Sequence, residues 1–220
     1  MIFRDLKKTY GVKTALDIPE LLLEDGKIYA VIGANGCGKS TLARLLSGTV
    51  KADGGYIKCP DKRIGYMPQK SYAFNMSMRK NLRINGNGKD SDMREKELMD
   101  ALKIEPLADA KARKLSGGET AKMALARLLM SDYGFLILDE PTAAMDMEST
   151  LLAEKLITEY REKNGCAVLL ITHSLSQARR LADYVLFISD GKLVEYGSSD
   201  DILSSPQDER TKEFLEFSNI

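Results

Sequence analysis

Residues Gly33–Thr41 read GANGCGKST, and this stretch decides the fold of the chain. It matches the pattern G-x-x-x-x-G-K-[ST] at every fixed position. A short apolar run from Lys27 to Ile32 ends directly before it, as a buried strand would, and Leu42, Leu45 and Leu46 follow it at helical spacing. The sequence therefore predicts a strand, a glycine-rich turn and a helix in that order.

A turn of this kind is suited to holding phosphate groups. Its glycines let backbone N–H groups point inwards at the N-terminus of a helix, which makes a concave anion site. Lys39 adds a positive charge for the outer phosphates, and the Ser40 hydroxyl is a ligand for Mg²⁺. The residues predicted to cradle the nucleotide are Asn35, Gly36, Cys37, Gly38, Lys39, Ser40 and Thr41.

Two carboxylates follow a second apolar run. Phe135 to Leu138 reads as a buried strand, and Asp139 and Glu140 come directly after it. In open α/β sheets, ligands bind at the carboxyl ends of the strands. We therefore expect Asp139 to hold Mg²⁺ and Glu140 to polarise the attacking water as a general base. Without the glycine-rich turn, two such acids would indicate a solvated loop or a helix cap.

Alternating apolar strands and helical patterns predict an α/β fold with a parallel sheet covered on both faces. The first 25 residues and the region Tyr56–Met67 instead indicate short strands in an antiparallel layer. From Ser71 to about Met130 only helical stretches and polar loops are found, which predicts a helical insertion. Tyr184–Ser189 and Leu193–Tyr196 flank Asp190 and Gly191 and are typical of a hairpin.

Composition excludes several classes of protein. The 32 basic side chains balance the 32 acidic ones, so bulk charge gives no reason to expect nucleic acid as a partner. Cys37, Cys59 and Cys166 form no C-x-x-C pair, so neither a disulfide framework nor a thiolate metal site is predicted. The sequence shows no signal peptide and no apolar stretch near the roughly 20 residues that cross a bilayer. We expect a cytoplasmic protein.

A third segment, Leu115-Ser116-Gly117-Gly118-Glu119, precedes a helical pattern, so that its backbone N–H groups and Ser116 can also face an anion. The glycine-rich turn Gly33–Thr41, the P-loop, lies upstream of this segment. Together with it, the segment resembles the signature motif of ABC transporter nucleotide-binding subunits, although glutamine is common where Glu119 stands. The resemblance covers nearly the whole chain. It implies a P-loop NTPase (RecA-like) core with an antiparallel β subdomain and an inserted α-helical subdomain at about 71–130. It also implies a single ABC ATPase domain over residues 1–220.

The resemblance gives roles to further residues. Tyr10 corresponds to the aromatic residue that stacks on adenine, although a surface tyrosine is the alternative. Gln69 resembles the Q-loop glutamine that reaches Mg²⁺ and the attacking water. Asp146 ends the segment Ala143-Ala144-Met145-Asp146, which resembles the D-loop, and it would help communication between two subunits. His173, the single histidine of the chain, follows the apolar run Ala167–Thr172 as the family's H-loop histidine does and would contact the γ-phosphate.

The resemblance also implies how the chain works and with which partners. Two copies would form a head-to-tail homodimer in which Ser116, Gly117 and Gly118 of one copy cap the ATP held by Lys39 of the other. Hydrolysis of Mg-ATP would drive integral membrane permease subunits, with the dimer peripheral on the inner face of the membrane. Residues 73–76 are expected to contact the permease, although these residues fit the core of the helical subdomain equally well.

Three classes of ABC protein remain open from the sequence. A single cassette without membrane spans favours an importer ATPase, served by an extracytoplasmic solute-binding protein. The C-terminal segment Ser205–Leu215 resembles the ends of importer ATPases for polar amino acids and inorganic anions, and a polar loop followed by an amphipathic helix also explains it. The alternatives are the ATPase of an exporter or lipoprotein-extraction complex and a soluble ABC ATPase without a transport role.

Overall fold

A computed structural model describes residues 1–59, 63–86 and 90–218. The strands are β1 (Ile2–Tyr10), β2 (Lys13–Leu22), β3 (Ile28–Ile32), β4 (Gly54–Lys58), β5 (Ile64–Met67), β6 (Phe135–Asp139), β7 (Ala167–Ile171), β8 (Tyr184–Ser189) and β9 (Lys192–Ser198). The α-helices are α1 (Lys39–Leu46), α2 (Met78–Arg83), α3 (Ser91–Ala101), α4 (Gly117–Leu129), α5 (Met147–Asn164), α6 (Leu175–Leu181), α7 (Ser199–Ser204) and α8 (Glu209–Ser218). Two single 3₁₀ turns lie at Glu105–Leu107 and Ala112–Lys114.

The chain divides into two compact units. The first contains residues 1–66, 134–139 and 165–218, and the second contains residues 67–133 and 140–164. The predicted helical subdomain at 71–130 falls in the second unit, which also includes α5. The assignment of 1–220 to a single domain stays a prediction. Its residues 60–62, 87–89 and 219–220 lie outside the described residues.

The first unit is built on a sheet of order β5-β6-β7-β3-β8-β9. β3 runs parallel to β7 and to β8, β6 runs parallel to β7, and β9 closes the far edge antiparallel to β8. Every residue of β3, β6 and β7 is buried. Their continuous apolar sequences are explained by this position, because the central strands of a parallel sheet are covered on both faces.

Both faces of this sheet are packed, as predicted. On one face α1 and the antiparallel sheet β2-β1-β4 form a core with the inward side chains of the central strands, for example Leu42 of α1, Phe3 of β1 and Ile137 of β6. On the other face α6, α7 and α8 cover a second cluster that includes Ile32 and Phe187. The α/β P-loop NTPase fold with an antiparallel β layer is confirmed.

One predicted strand lies in a different sheet. The region Tyr56–Met67 was expected to belong entirely to the antiparallel layer, but only β4 does so, whereas β5 forms the edge of the main sheet beside β6. Backbone hydrogen bonds fix this position, since the N–H groups of Gly134 and Phe135 both donate to the Arg63 carbonyl oxygen, at 3.0 and 3.4 Å. The four residues of β5 show no sequence pattern that would reveal this long-range pairing, so the sheet to which β5 belongs could not be predicted.

The second unit is helical, as predicted for its 71–130 segment. α2 was not predicted, because its six residues are too few to show a helical period. It is held by a buried carboxylate, since the Glu95 side chain is 2% exposed and pairs with both Arg79 and Arg83. Among the described residues of either unit, no helix is both long and apolar enough to cross a membrane.

Candidate nucleotide-binding site

The P-loop is shaped by glycines that allow close backbone approaches. At Gly33, with φ 145°, an added Cβ would lie 2.1 Å from the Ile188 carbonyl oxygen. At Gly38, with φ 117°, it would lie 2.7 Å from the Ala15 carbonyl oxygen. Gly38 is also the N-cap of α1, so the helix begins at Lys39 as the sequence predicts. The two glycines are therefore needed for both backbone conformation and space.

The lysine of the loop is positioned inside it. Lys39 is 6% exposed, and its ammonium donates to the carbonyl oxygens of Gly33 and Ala34, at 2.7 and 2.9 Å. The Cys37 sulfur lies 3.9 Å from the same Nζ. Burial raises the pKa of the Cys37 thiol, and the positive charge of Lys39 opposes this effect without overcoming it. The thiol therefore stays protonated at neutral pH, directly beside the phosphate cradle.

The P-loop and two other predicted site residues, Asp139 and His173, lie at one edge of the first unit's sheet. Val31 pairs with Ile171, and Ile171 pairs with Asp139, so β3, β7 and β6 end side by side. Gly33 follows β3 and His173 follows β7, so the P-loop, the Asp139 carboxylate and His173 all lie at this carboxyl edge. Asp139 is 2% exposed, whereas His173 is exposed. The edge is the ligand-binding side of an open α/β sheet.

The predicted adenine-stacking residue is exposed at the end of β1. Tyr10 is 47% exposed, and the Lys8 ammonium lies 5.4 Å from the centre of its ring. The β1–β2 hairpin is attached to the P-loop side of the sheet, because Asp17 N–H donates to the Gly191 carbonyl oxygen at 2.7 Å and Gly191 N–H donates to that of Cys37 at 2.9 Å. The aromatic ring and the phosphate loop thus share one framework within the first unit.

The signature segment lies in the second unit and begins α4. Ser116 is the N-cap, and its hydroxyl accepts the Glu119 N–H at 3.3 Å, while the Glu119 carboxylate accepts the Ser116 N–H at 2.7 Å. Ser116 and Gly117 are exposed at the positive end of the helix. At Gly118 an added Cβ would lie 2.9 Å from the Ala144 carbonyl oxygen, so the signature packs directly on the D-loop-like segment.

Asp146 has a local structural role. Its carboxylate accepts the Ser149 N–H at 2.7 Å at the start of α5, and hydrogen bonds from Ser149 hold the pKa of Asp146 below its usual range. Glu140 stands in the left-handed region at φ 51°, a rare conformation for a residue with a side chain. Gln69 is exposed in the loop after β5. All three residues belong to the second unit.

The chain was compared with known proteins. The sequence profile described as "ABC transporter" matches residues 16–143, which is more than half of the chain. The chain belongs to the ABC transporter family. This match confirms the resemblance that the sequence analysis stated.

Curated relatives of this ABC protein extend over most of its length. The tungstate uptake system ATP-binding protein of Peptoclostridium acidaminophilum is 40% identical over 87% of this chain and 95% of its own. A phosphate import ATP-binding protein of Aliivibrio fischeri is 34% identical over 94% and 86% of the two chains. An aliphatic sulfonates import ATP-binding protein of Paracoccus denitrificans is 32% identical over 96% and 85%.

Solved structures match at the level of the fold. An ATP-binding subunit of an ABC transporter superimposes with a TM-score of 0.86 at 21% identity, covering 100% of this chain and 99% of the other. A dimeric cassette described as a post-hydrolysis state with ADP and phosphate gives a TM-score of 0.80 at 23% identity, covering 90% and 99%. The predicted ABC ATPase fold is confirmed by both.

Sequence reasoning missed two groups of residues around the site. Gly191, in the β8–β9 turn, donates to the P-loop and accepts from β2, and the Asp190-Gly191 pair was identified only as a hairpin turn. Asp53 is hydrogen-bonded to the backbone and side chains of β1. The sequence shows that a glycine stands at a turn, but it does not show which distant segment that glycine or Asp53 contacts.

Proposed function

We propose that this chain is the ATP-hydrolysing subunit of an ABC importer for a small oxyanion, and that it works as a homodimer on the inner face of a membrane. The observation that carries the proposal is the carboxyl edge of the main sheet. There the buried Lys39 and Asp139 lie with the P-loop backbone and His173 at the ends of adjacent strands. The family places ATP in such a P-loop.

The import assignment made from the sequence is confirmed by the relatives. The tungstate, phosphate and sulfonate proteins are all named as uptake or import ATP-binding proteins. The chain is an ABC ATPase that energises uptake. The exporter alternative and the soluble alternative receive no support from these relatives.

The P-loop residues have distinct tasks in nucleotide binding. The backbone N–H groups of residues 35–41 surround the phosphates. Gly33 and Gly38 allow the close backbone approaches that shape the loop. Lys39 exchanges its bonds to the Gly33 and Ala34 carbonyl oxygens for the outer phosphates. Tyr10 stacks on the adenine ring, for which its exposed face is available.

The first unit supplies oxygen ligands that suit Mg²⁺. Ser40 offers a hydroxyl and Asp139 a buried carboxylate, and hard oxygen ligands of this kind are what Mg²⁺ prefers. Burial, and after it the negative charge of Asp139, raises the pKa of the Tyr66 phenol. Ser40 and Asp139 would hold the metal, which would neutralise phosphate charge, and Gln69 of the second unit is assigned to it only by its likeness to the Q-loop glutamine.

Glu140 is the proposed general base. Its carboxylate accepts a proton as water attacks the γ-phosphorus, while the bond to the ADP oxygen breaks and His173 donates a hydrogen bond to the γ-phosphate. Gln69 orients the water. These roles follow from the positions that Glu140, His173 and Gln69 share with the family motifs. The left-handed backbone at Glu140 fits a functional role, because such strain is concentrated at active sites.

A second copy completes the site in this proposal. Ser116, Gly117 and Gly118 of one copy cap the γ-phosphate bound to the other, for which the exposed N-terminus of α4 is suited. Asp146 communicates between the copies through the segment that packs on Gly118. ATP then stabilises the dimer and hydrolysis releases it.

Permease subunits are the proposed membrane partners. Tyr72, Phe74 and Met76 are 64%, 39% and 36% exposed, so this loop of the second unit presents an apolar surface rather than a subdomain core. Asn81 holds the loop in shape, since its side chain accepts the Phe74 N–H at 2.9 Å and donates to the Phe74 carbonyl oxygen at 3.2 Å. An extracytoplasmic solute-binding protein would deliver the solute to the permease.

The solute class is inferred from the relatives. Tungstate and phosphate have four oxygens around a tetrahedral centre, and a sulfonate has three oxygens and one carbon around a tetrahedral sulfur, so all three present oxygens on a tetrahedral central atom. We assign this chain to the uptake of a tetrahedral oxyanion, which is narrower than the small polar solute expected from the sequence. The ATPase itself would not contact the solute.

Uptake in cells tests the assignment. We expect deletion of the gene to abolish uptake of one of tungstate, phosphate or an alkyl sulfonate, and a plasmid copy to restore it. A plasmid copy with Lys39→Ala serves as the matched control and should not restore it. Unchanged uptake of all three anions in the deletion strain would contradict the oxyanion assignment.

A further inference from the structure

Asp53 is attached to β1 at three points. Its N–H donates to the Lys7 carbonyl oxygen at 2.9 Å, one carboxylate oxygen accepts the Thr9 N–H at 2.7 Å, and the other accepts from the Lys8 ammonium at 2.8 Å. Hydrogen bonds from Lys8 and, secondly, from Thr9 hold the pKa of Asp53 below its usual range. The carboxylate is therefore charged at neutral pH and binds both backbone and side chain of the strand.

These contacts lie where β1 and β2 lose their regular register. Lys8 pairs with Leu16 and Thr9 pairs with Thr14, so Ala15 is an extra residue on β2. A bulge of this kind leaves the extra residue outside the ladder and turns the strand. On the opposite edge of β1, beyond the pair that Lys7 forms with Gly54 of β4, the Asp53 carboxylate accepts the Thr9 N–H directly before Tyr10.

The bulged residue also contacts the phosphate loop. The Ala15 carbonyl oxygen would be 2.7 Å from a Cβ at Gly38 and 2.9 Å from one at Gly191. No side chain fits at either glycine, so the backbone of the hairpin rests directly on the P-loop at Gly38 and on the β8–β9 turn at Gly191. Any change in the bulge therefore alters the position of Tyr10 relative to the phosphates.

Lys8 covers one side of the Tyr10 ring. Lys8 and Tyr10 are two residues apart on β1 and so share a face of the strand. The Lys8 ammonium lies 5.4 Å from the ring centre, within the range of a cation–π contact. The Lys8 side chain is only 14% exposed, because Asp53 holds its ammonium in place.

We propose that Asp53 is a positioning residue for base recognition: it holds Lys8 against one face of Tyr10 and fixes the backbone at Thr9, so that the other face is set for adenine. This inference rests on the adenine-stacking role given to Tyr10 under the proposed function. The contribution of Asp53 acts on the base and not on the phosphates. It should therefore appear in the affinity for ATP and be absent from the affinity for a phosphate chain without a base.

The test compares ATP with inorganic tripolyphosphate on the purified chain, both with Mg²⁺, by calorimetry. We expect Asp53→Ala to weaken ATP binding about fivefold. The variant loses the hold on Lys8 that places its ammonium over the Tyr10 ring, and it also loses the hydrogen bond to the Thr9 N–H. Binding of tripolyphosphate should change by less than about twofold, since Asp53 makes no contact with the P-loop itself. Equal weakening of both ligands, or no change in either, would overturn the inference.

A matched control is available in the same sheet, where Asp17 of β2 also pairs with a lysine of β1. Asp17 pairs with Lys7 at 3.7 Å and is exposed to a similar degree, with side-chain exposures of 47% for Asp17 and 44% for Asp53. Asp17→Ala removes an ion pair of the same sheet that does not contact Tyr10, and it should leave ATP binding unchanged. If Asp17→Ala also weakened ATP binding fivefold, the loss would come from a general change in the sheet, and the inference would be overturned.

Tyr10→Ala separates the inference from the proposed function. We expect it to weaken ATP binding about tenfold, the value of one stacked base. In the Tyr10→Ala background, Asp53→Ala should then cause no further loss, because its contribution passes through the ring. An unchanged affinity in Tyr10→Ala would remove the stacking role and the inference together. If Tyr10→Ala weakened ATP binding and Asp53→Ala did not, the inference on Asp53 would be overturned while the stacking role of Tyr10 would stand.

Discussion

Single residues around the P-loop are constrained by how closely backbone segments approach each other. Gly191 has φ 76°, and an added Cβ would lie 2.9 Å from the Ala15 carbonyl oxygen. Gly165 has a similar φ of 58° but nothing lies within 4 Å of such an atom. The two glycines therefore differ in crowding and not in backbone conformation.

This difference gives a prediction for stability. We expect Gly165→Ala to lower the free energy of unfolding by about 1 kcal/mol, the usual cost of a left-handed residue with a side chain. Gly191→Ala should cost about 3 kcal/mol, because a steric clash is added to the same backbone cost. Urea unfolding measures both variants. Equal losses of unfolding free energy in the two variants would show that the close approach of the Ala15 carbonyl oxygen to Gly191 adds no steric cost.

Cys37 gives a prediction on chemical reactivity. Burial raises the pKa of its thiol, so the reactive thiolate is scarce at neutral pH and increases as the pH rises. Alkylation of Cys37 should therefore be slow at pH 7, accelerate towards alkaline pH and be blocked by ATP. Mass spectrometry of the labelled peptides resolves the sites, with the partly exposed Cys59 as an internal control that ATP does not protect. Modification of Cys37 at full ATP occupancy would contradict its placement in the cradle.

Which residues could be predicted depends on how local their signal is. Lys39, Ser40 and Asp139 could be found from the sequence because each stands at a fixed distance from a strand end. Asp53 and Gly191 could not, since their partners are brought together only by the fold.

At the scale of elements, α4 is started by a complete capping box. The Ser116 hydroxyl and the Glu119 carboxylate each satisfy one backbone N–H of the first turn. The hydrogen bonds from Ser116 lower the pKa of Glu119. A carboxylate with a lowered pKa stabilises the fold above its unfolded pKa, and this contribution is lost as the pH falls through the folded pKa.

The capping box predicts a pH-dependent loss of stability. We expect Glu119→Ala to lower the free energy of unfolding by about 1 kcal/mol at pH 7, the usual value of a cap. Glu119→Gln keeps the hydrogen bond and should lose only about 0.5 kcal/mol, the interaction of the charge with the helix dipole. The difference between wild type and Glu119→Gln should disappear as the pH falls below 4.5, the ordinary pKa of the side chain. A difference that persisted in acid would contradict the assigned cause.

Asn81 gives a prediction for the loop between β5 and α2. The side chain is fully buried and bonds to Phe74 and to the Ser77 carbonyl oxygen, while Arg127 of α4 lies 5.1 Å from the Phe74 ring. Asn81→Ala removes the acceptor of the Phe74 N–H and of the Arg127 guanidinium, and should cost about 2–3 kcal/mol in urea unfolding. Asn164→Ala removes a single bond to the Tyr160 carbonyl oxygen and should cost less than about 1 kcal/mol. Equal effects would show that Asn81 does not hold the loop.

Elements with a clear apolar pattern were predictable, and those without one were not. The bounds of α1 and β7 agree with the sequence prediction, because α1 repeats apolar residues at helical spacing and β7 is a continuous apolar run that is buried on both faces. β5 and α2 have four and six residues, and tertiary partners rather than their own sequence fix them. The predicted antiparallel layer was wrong only for β5, for this reason.

At the scale of the whole molecule, the proposed catalytic residues are divided between the two units. The P-loop, Asp139 and His173 belong to the first, while Glu140, Gln69 and the signature belong to the second. In the proposed mechanism the signature acts on ATP held by another copy. The central claim is therefore that two chains and bound ATP are needed for one complete site.

Sedimentation of Glu140→Gln tests this claim most directly. Loss of the general base should slow hydrolysis by about 10²–10⁴-fold while ATP still binds. We therefore expect this variant to be monomeric without nucleotide and dimeric with saturating Mg-ATP. The double variant Lys39→Ala with Glu140→Gln is the control and should remain monomeric. A Glu140→Gln variant that binds ATP and still sediments as a monomer would contradict the account.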